Sequence, residues 1–258
     1  GNITLIRDER YFEFYLLPYF RERPTPGKKG RLRTDPHFLK SDAKFEGGSQ
    51  WTPEVAFRWL NTYDDLDVSS HLFFGYAKQP SIDIRIIDGV TNYGAAYQRI
   101  RQIGGTIQKT AGPTIYKLEL IGRDGQKDSK TRRTDFLASV IGVEHTMYRV
   151  LSDNGDLGLI LEYNFDSRRD RSSELLQDDL FIATRFSLND NLNTELLLSS
   201  IFDLDGDGQT YQIDFGKRIN DSLTYNIKGA VYQNGRPGST LYILRQDSWL
   251  ELEIKYYF

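Results

Sequence analysis

Residues 248–258 of the chain, SWLELEIKYYF, alternate between apolar and charged side chains. Leu250 and Leu252 share one parity, whereas Glu251 and Glu253 share the other. Successive side chains of a β-strand point to opposite faces, so this stretch predicts a strand with one apolar and one charged face. The fold class therefore depends on whether the rest of the chain repeats this pattern.

The same alternation recurs from end to end, and no convincing helical periodicity appears. It is clearest in RYFEFYLLPYF (10–20), LDVSSHLFFGY (66–76), DLGLILEYNF (156–165), DLFIATRFSL (179–188), TYQIDFGKR (210–218) and SLTYNIKGAVY (222–232). The connections between these segments alternate between short turns and long loops. A transmembrane barrel has this asymmetry, because its turns are short on one side of the membrane and its loops are long on the other.

The composition excludes several classes of protein. The chain has 258 residues, no cysteine and a formal net charge of −3, so it has no disulfide framework and no global field that favours nucleic acid. Its mean hydropathy is −0.52, and no apolar run approaches the roughly 18 residues of a membrane helix. These properties exclude a helical membrane protein but agree with strands that are apolar at every second position.

The terminal strand resembles the C-terminal targeting strand of Gram-negative outer-membrane β-barrel proteins. In that group a final phenylalanine, preceded by apolar and aromatic residues at alternate positions, is recognised by the barrel-assembly machinery. The resemblance implies an assembly signal formed by Leu250, Leu252, Ile254, Tyr256 and Phe258. The stretches EYNFDSRRD, QDDLFIATRFSLND and DSWLELEIKYYF also resemble a set of poorly characterised porin-like outer-membrane proteins.

We therefore expect an all-β protein, an antiparallel up-and-down transmembrane β-barrel with about 12–14 strands in this chain. Residues 1–258 are expected to form a single outer-membrane domain that lacks one or more N-terminal strands. The alternative is that NITLI (2–6) is a short extension of a twelve-stranded barrel, since bacterial barrels have even strand numbers.

Charged residues on the parity opposite to the apolar one are candidates for the lumen. Rings of charge set selectivity in pores, but charges of opposite sign on adjacent strands also pair and stiffen a wall. The lumen candidates are Glu13, Arg58, Lys117, Glu119, Glu144, Glu162, Arg185, Glu195, Asp214, Arg218, Lys228, Glu251, Glu253 and Lys255.

Three of the long loops are rich in basic residues. Such runs are usually solvated surface, but on an outer loop they also suit the phosphates of lipopolysaccharide. The lipopolysaccharide candidates are Arg21, Arg23, Lys28, Lys29, Arg31, Arg33, Lys130, Arg132, Arg133, Arg168 and Arg169.

The segment DLDGDG places Asp203, Asp205 and Asp207 at alternate positions, which resembles the start of a calcium loop. It lacks the glutamate at the twelfth position, and Asp-Gly between two strands is a common hairpin turn. A turn is therefore the preferred interpretation, and a loop-bound calcium ion is the alternative. No other cofactor is expected.

The predicted function is a porin-like passive channel for small solutes in the bacterial outer membrane, and not an enzyme. The expected partners are membrane lipid, lipopolysaccharide and, during biogenesis, the barrel-assembly machinery, without nucleic acid. The alternative is a non-conducting structural or assembly barrel that binds lipopolysaccharide or a protein through its outer loops. A membrane hydrolase built on Ser69 and His71 is a third, weaker hypothesis. A soluble β-sandwich or propeller is the non-membrane alternative.

Overall fold

The computed structural model describes residues 1–27, 29–33, 36–38, 43–150, 153–237 and 239–258. The chain is all-β, as the alternation predicts, and its main element is one large antiparallel sheet of 13 strands. These strands are β1 (Asn2–Arg7), β2 (Arg10–Leu17), β4 (Glu54–Tyr63), β5 (Leu66–Tyr76), β8 (Arg99–Ala111), β9 (Thr114–Lys127), β10 (Arg133–Met147), β11 (Asp156–Asp166), β12 (Asp178–Ser187), β13 (Glu195–Asp203), β14 (Gln209–Asn220), β15 (Leu223–Gln233) and β16 (Trp249–Tyr256).

The strands of this sheet are neighbours in chain order. In that order β1 and β16 are the two ends, and each has one hydrogen-bonded neighbour among the residues that the structure describes. A separate three-stranded sheet contains β3 (Lys44–Phe45), β6 (Ser81–Ile87) and β7 (Val90–Tyr97), in the order β3-β7-β6. Two short helical segments complete the elements, a 3₁₀ turn at Arg169–Arg171 and α1 at Thr240–Leu244.

The chain divides into two compact units. Unit 1 contains Gly1–Gln108, Leu118–Ser139 and Asp166–Glu174, and unit 2 contains Lys109–Lys117, Val140–Phe165 and Leu175–Phe258.

In unit 1 the register separates the two faces of the main sheet. Glu13 of β2 lies opposite Arg58 of β4, which in turn lies opposite His71 of β5. The next residue along β2 after Glu13 is Phe14, and the next along β5 after His71 is Leu72. Both side chains therefore point to the opposite face of the sheet. Both of these side chains are exposed, so one face of this part of the sheet is apolar and uncovered.

A second feature of unit 1 is an aromatic core that joins Tyr76, at the end of β5, to residues outside the main sheet. Phe20, Tyr76 and Tyr97 are buried and pack together, with ring centroids 4.7 Å apart for Phe20 and Tyr97 and 5.5 Å apart for Phe20 and Tyr76. Phe45 of β3 stacks on Tyr97, and the parallel β3–β7 pair holds it there. Phe20 and Phe45, which belong to the long connection between β2 and β4, are therefore held by tertiary packing.

The hairpin of β6 and β7 forms part of the connection between β5 and β8 of the main sheet. Its turn contains Asp88 and Gly89, both with positive φ. Aspartate and glycine tolerate this conformation, which two-residue hairpin turns require. The connection is therefore structured, and the side chain of Ile82 packs against the aromatic core.

Unit 2 shows the same division of faces over five consecutive strands, β12 to β16. One row of paired positions crosses the sheet from Arg185 through Leu197, Asp214 and Lys228 to Glu251. Positions of the other parity carry mainly apolar residues, and those with exposed side chains include Ile182, Leu198, Tyr211, Ile213, Val231, Leu250, Leu252, Ile254 and Tyr256. The loop before β16 contains α1, which begins after Ser239, whose side chain accepts a hydrogen bond from the backbone N–H of Tyr242 at 3.2 Å.

Candidate functional site

The polar face of unit 2 contains a cluster of three charged residues. Glu144 of β10 accepts a hydrogen bond from Lys117 Nζ at 3.4 Å and another from Arg185 Nη2. The Glu144 side chain is only 13 % exposed, whereas its two partners reach further into solvent. A carboxylate with so little solvent is stabilised by being shared between two cations. Three of the lumen candidates are thus brought together.

Further along the same face, charges of opposite sign lie opposite each other on adjacent strands. Asp214 Oδ2 is 3.4 Å from Lys228 Nζ, and the two residues are register partners. Lys255 Nζ is 2.9 Å from Glu253 Oε2, which also accepts a hydrogen bond from Asn226 Nδ2 at 3.2 Å. Lys255 and Glu253 belong to the same strand, β16, whereas the Asp214–Lys228 and Asn226–Glu253 contacts join adjacent strands. These cross-strand contacts favour the register that places the charges on one face.

A cleft of about 490 Å³ lies on this face near the short turns of unit 2. Its lining includes four cationic and two anionic side chains, together with the amides of Asn193 and Asn226. The charged residues that line it are Arg185, Lys217, Arg218, Lys255, Glu195 and Asp214. We call this site the turn-end cleft, and it gathers five of the lumen candidates.

Six lumen candidates of unit 2 lie outside the cleft lining, namely Lys117, Glu144, Glu162, Lys228, Glu251 and Glu253. Glu162 packs against Gly142, where an added Cβ would be 3.0 Å from the glutamate Cγ. Glu251 is the register partner of Lys228, and Glu253 is bonded as described above. In unit 1, Glu119 is exposed and acts electrostatically on His71.

The polar face of unit 1 contains Glu13, whose Oε2 is 3.5 Å from Arg58 Nη1, so this pair of candidates meets. His71 Nε2 is 2.8 Å from Gln102 Nε2, and Gln102 Oε1 accepts a hydrogen bond from Arg123 Nε at 2.8 Å. This network positions the imidazole among polar side chains.

The serine and histidine of the hydrolase hypothesis have separate partners. Ser69 Oγ is 2.7 Å from Thr106 Oγ1, and the ring of His71 is engaged by Gln102. A nucleophilic serine needs a base within hydrogen-bond reach. The geometry of Ser69 and His71 therefore gives that hypothesis no support.

The basic loop residues differ widely in their surroundings. Arg168 is 2 % exposed, its guanidinium donates to Asp166 and lies 3.5 Å over the ring of Phe136. Arg133 is bonded to Glu46 at 2.6 Å. Lys28 lies outside the described residues. The lipopolysaccharide candidates with exposed side chains are Arg21, Arg23, Lys29, Arg31, Lys130, Arg132, Arg133 and Arg169, and Arg33 is half-buried.

Asp203 forms the turn between β13 and β14. Its Oδ1 accepts hydrogen bonds from the backbone N–H of Asp205 at 3.1 Å and of Gly206 at 2.8 Å. This arrangement matches the turn interpretation. Within the described ranges no group of three or more histidine, cysteine, aspartate or glutamate side chains is arranged to hold a metal ion.

The residues of the assembly signal have little protein around them. Leu250 is 75 % exposed and Leu252 and Ile254 are each 63 % exposed, although all three belong to a paired strand. The side chain of Phe258 is fully exposed. Soluble monomers rarely leave apolar patches of this extent uncovered.

Alternation did not identify several residues of the turn-end cleft. Lys217 has the parity of the apolar face of β14, but it lines the cleft near a register shift between Arg218 and Asn220. Asn193 belongs to a turn, and Asn226 carries no charge. The register shift follows Arg218, and Lys217 keeps its regular partner, Tyr225, so nothing in GKRIND marks Lys217 as a residue of the cleft.

Among the described residues, no helix is long and apolar enough to cross a membrane. Comparison of the chain with models of protein families, with curated proteins and with solved structures finds no match.

Proposed function

We propose that the chain forms the wall of a β-barrel in the bacterial outer membrane and acts as a porin-like passive channel for small solutes. In this proposal the apolar face meets lipid and the polar face lines a water-filled passage, and pairing between β1 and β16 or through further strands closes the sheet. Closure is needed because every backbone N–H and C=O in lipid requires a partner.

One observation supports the proposal most strongly: the apolar face is exposed, and the charged side chains gather on the opposite face. In unit 2, Ile213 and Val231 are exposed on one side, while Asp214 and Lys228 pair on the other. A soluble sandwich would bury the first pair against a second layer. In contact with lipid, the side chains of Ile213 and Val231 are stable without a second layer of protein.

The direct test is the ion current across a planar bilayer. The refolded chain is expected to insert and give discrete conductance steps, and a heat-denatured sample is the control. The folded form should also migrate faster than the heated form on a gel. A chain that remains monodisperse in plain buffer and never inserts would contradict the membrane assignment.

The alternative proposal is a non-conducting barrel that binds lipopolysaccharide or a protein through its loops. It is favoured by the aromatic core of unit 1, in which Phe20, which follows β2, is fully buried against Tyr76 and Tyr97. Exposed basic side chains such as Arg21 and Lys29 lie in that segment. Insertion without current, together with binding of lipopolysaccharide micelles, would favour this alternative.

A further inference from the structure

We infer that two copies of the chain associate through the free edge of β6, which pairs in antiparallel fashion with β6 of the partner subunit about a twofold axis. Such a dimer goes beyond the proposed channel function and does not depend on conductance. The exposure, the backbone directions and the charge pattern of the β6–β7 hairpin support it.

The outer half of the hairpin is apolar and exposed. Ile82 packs against the aromatic core, but Ile84 and Ile86, on the same face of β6, are 64 % and 76 % exposed. Ile87 and Val90, which flank the turn on the other face, are exposed as well. Contiguous exposed apolar side chains mark interaction sites in soluble and membrane proteins alike.

β6 also has a free edge. It is the last strand in the order β3-β7-β6, so β7 is its one hydrogen-bonded neighbour among the residues that the structure describes. An edge strand presents unpaired backbone N–H and C=O groups, which are a template for a further strand. Proteins use such edges to bind an extended segment of a partner.

The turn determines which backbone groups of β6 lie on this edge. Ile87 and Val90 are register partners that close a two-residue turn, and partners in this position exchange both backbone hydrogen bonds. Along an antiparallel pair, hydrogen-bonded and non-hydrogen-bonded positions alternate. The backbone groups directed away from β7 are therefore those of Ile82, Ile84 and Ile86.

These three residues are symmetrical about Ile84, so the edge is complementary to a copy of itself. When Ile84 lies opposite Ile84 of the partner subunit, Ile82 lies opposite Ile86 of the partner subunit. Each outward N–H and C=O of the three residues then has a partner, which is the self-complementarity that a twofold interface requires. The isoleucines of the two copies form one continuous apolar row.

The same register brings opposite charges together. Asp83 lies opposite Arg85 of the partner subunit at a non-hydrogen-bonded position, where side chains approach most closely. Within one chain, Asp83 Oδ2 is 2.5 Å from Arg85 Nε and 2.9 Å from Lys44 Nζ, so the dimer joins two such groups of charges. A register shifted by two residues would instead place Asp83 or Arg85 opposite itself. Charge repulsion therefore selects the register centred on Ile84.

The first test uses disulfide formation, because the chain has no cysteine and a single introduced thiol reports on the register. The full chain is refolded in detergent micelles or lipid vesicles and mildly oxidised. Ile84→Cys should give a cross-linked dimer, since opposite Cα atoms of a hydrogen-bonded pair are about 5.5 Å apart, within the range of disulfides.

Ile86→Cys is the matched control for cross-linking. This position is at least as exposed as Ile84. In the dimer, however, the two copies of residue 86 are four residues out of register, or about 14 Å apart along the strands. The control should therefore remain monomeric under the same oxidation.

The second test measures the dimer Kd without a cross-link, by sedimentation in density-matched micelles. Ile84→Pro removes an N–H at the centre of the interface and none of the hydrogen bonds to β7, so it should raise the Kd at least about tenfold. Thr91→Pro is the matched control, because the N–H of Thr91 points to the other edge of the hairpin. It should associate as the parent does. Circular dichroism first shows that each variant is folded.

Three outcomes overturn the inference: the parent sediments as a monomer at every concentration, Ile86→Cys cross-links as readily as Ile84→Cys, or Ile84→Pro associates as tightly as the parent. A monomer whose Ile86→Cys thiol is protected from a water-soluble maleimide only in vesicles would assign the hairpin to lipid instead. Cross-linking requires no current, so the two proposals fail separately. A cross-linked dimer in a silent bilayer would contradict the channel alone, and a conducting monomer would contradict this inference alone.

Discussion

Asp214 and Lys228 are register partners on β14 and β15, and their side chains approach to 3.4 Å on the polar face. Both side chains are about half exposed, at 50 % and 46 %. An exposed pair of this kind contributes about 0.2–1 kcal/mol to stability. Its larger consequence is electrostatic, because each member cancels the charge of the other at the turn-end cleft.

Replacing either member of this pair should change ion selectivity in opposite directions. Asp214→Asn removes a negative charge and should raise the chloride-to-potassium permeability ratio roughly twofold, while Lys228→Gln should lower it, with little loss of stability. Reversal potentials in a potassium chloride gradient measure this ratio. A shift of the same sign in both variants would show that the pair does not face the conducting path.

A charge placed on the apolar face should destabilise the folded protein far more than the same charge at the neighbouring residue, which lies on the polar face. Ile213→Lys puts an ammonium where lipid is proposed and should destabilise the protein by about 2–4 kcal/mol, if the position lies near the bilayer centre. Gln212→Lys is the matched control on the polar face, and it should change stability by less than about 0.5 kcal/mol. Urea unfolding in lipid vesicles compares the two. Equal effects would mean that Ile213 does not meet hydrocarbon.

Glu54 should be important for the stability of unit 1. Its side chain is fully buried, Oε1 accepts the backbone N–H of Tyr76 at 2.6 Å, and Oε2 lies 3.1 Å from Lys78 Nζ. Glu54→Ala leaves that N–H without its acceptor and should cost about 1–3 kcal/mol. Glu54→Gln retains an acceptor oxygen and should lose less.

Hydrogen exchange of the Tyr76 amide reports on this bond directly. We expect Glu54→Ala to accelerate it and Glu9→Ala, in the exposed turn between β1 and β2, to leave it unchanged. Unaltered exchange in Glu54→Ala would show that another acceptor replaces the carboxylate.

The loop after β9 should be sensitive to acid through Asp128. Burial opposes ionisation of this carboxyl, but the backbone N–H groups of Arg132 and Lys130 and the charge of Arg132 outweigh it, so the pKa of Asp128 lies below its ordinary value. A lowered pKa in the folded state means that ionised Asp128 stabilises the loop above the unfolded pKa. This contribution is lost as the pH falls through the lower, folded pKa.

An NMR titration of the loop amides should therefore show loosening only below the ordinary pKa of aspartate, which is 3.8. Asp128→Asn should loosen the loop already at neutral pH and abolish the acid transition. If the parent and the variant titrate alike, a different group controls the loop.

Phe258 should influence assembly without influencing stability. Its side chain is fully exposed, so Phe258→Ser should alter the unfolding midpoint of refolded protein by less than about 0.5 kcal/mol. In cells the same variant should accumulate less heat-modifiable protein in the membrane, since the resemblance implies recognition of a final phenylalanine. Tyr257→Ser, on the other parity, is the control. Normal assembly of the Phe258→Ser variant would show that Phe258 is not required as an assembly signal.

The strands of the main sheet could be predicted because alternation depends only on neighbouring residues. The segment 248–258 predicts β16, and NITLI corresponds to β1. The hairpin of β6 and β7 had a usable pattern too, with Ile82 and Ile84 alternating with Asp83 before an Asp-Gly turn. It is not among the segments of clearest alternation, because both strands are short and lie between the longer β5 and β8.

The aromatic core and the turn-end cleft could not be predicted in this way. Phe20, Tyr76 and Tyr97 are distant in the chain and meet only through tertiary packing. Lys217 has the wrong parity for the polar face, and its place in the cleft accompanies the irregular end of β14. Periodicity predicts which face of the sheet a strand residue occupies. It does not predict the tertiary contacts of loops and strand ends.

The contact between Phe20 and Tyr97 also constrains the order of events during folding. A long loop must close before these rings meet, and loop closure is unfavourable until the contacts that it permits are made. β4, β5 and the β6–β7 hairpin all lie between the two rings in sequence. We therefore expect Phe20 and Tyr97 to meet after these strands have paired.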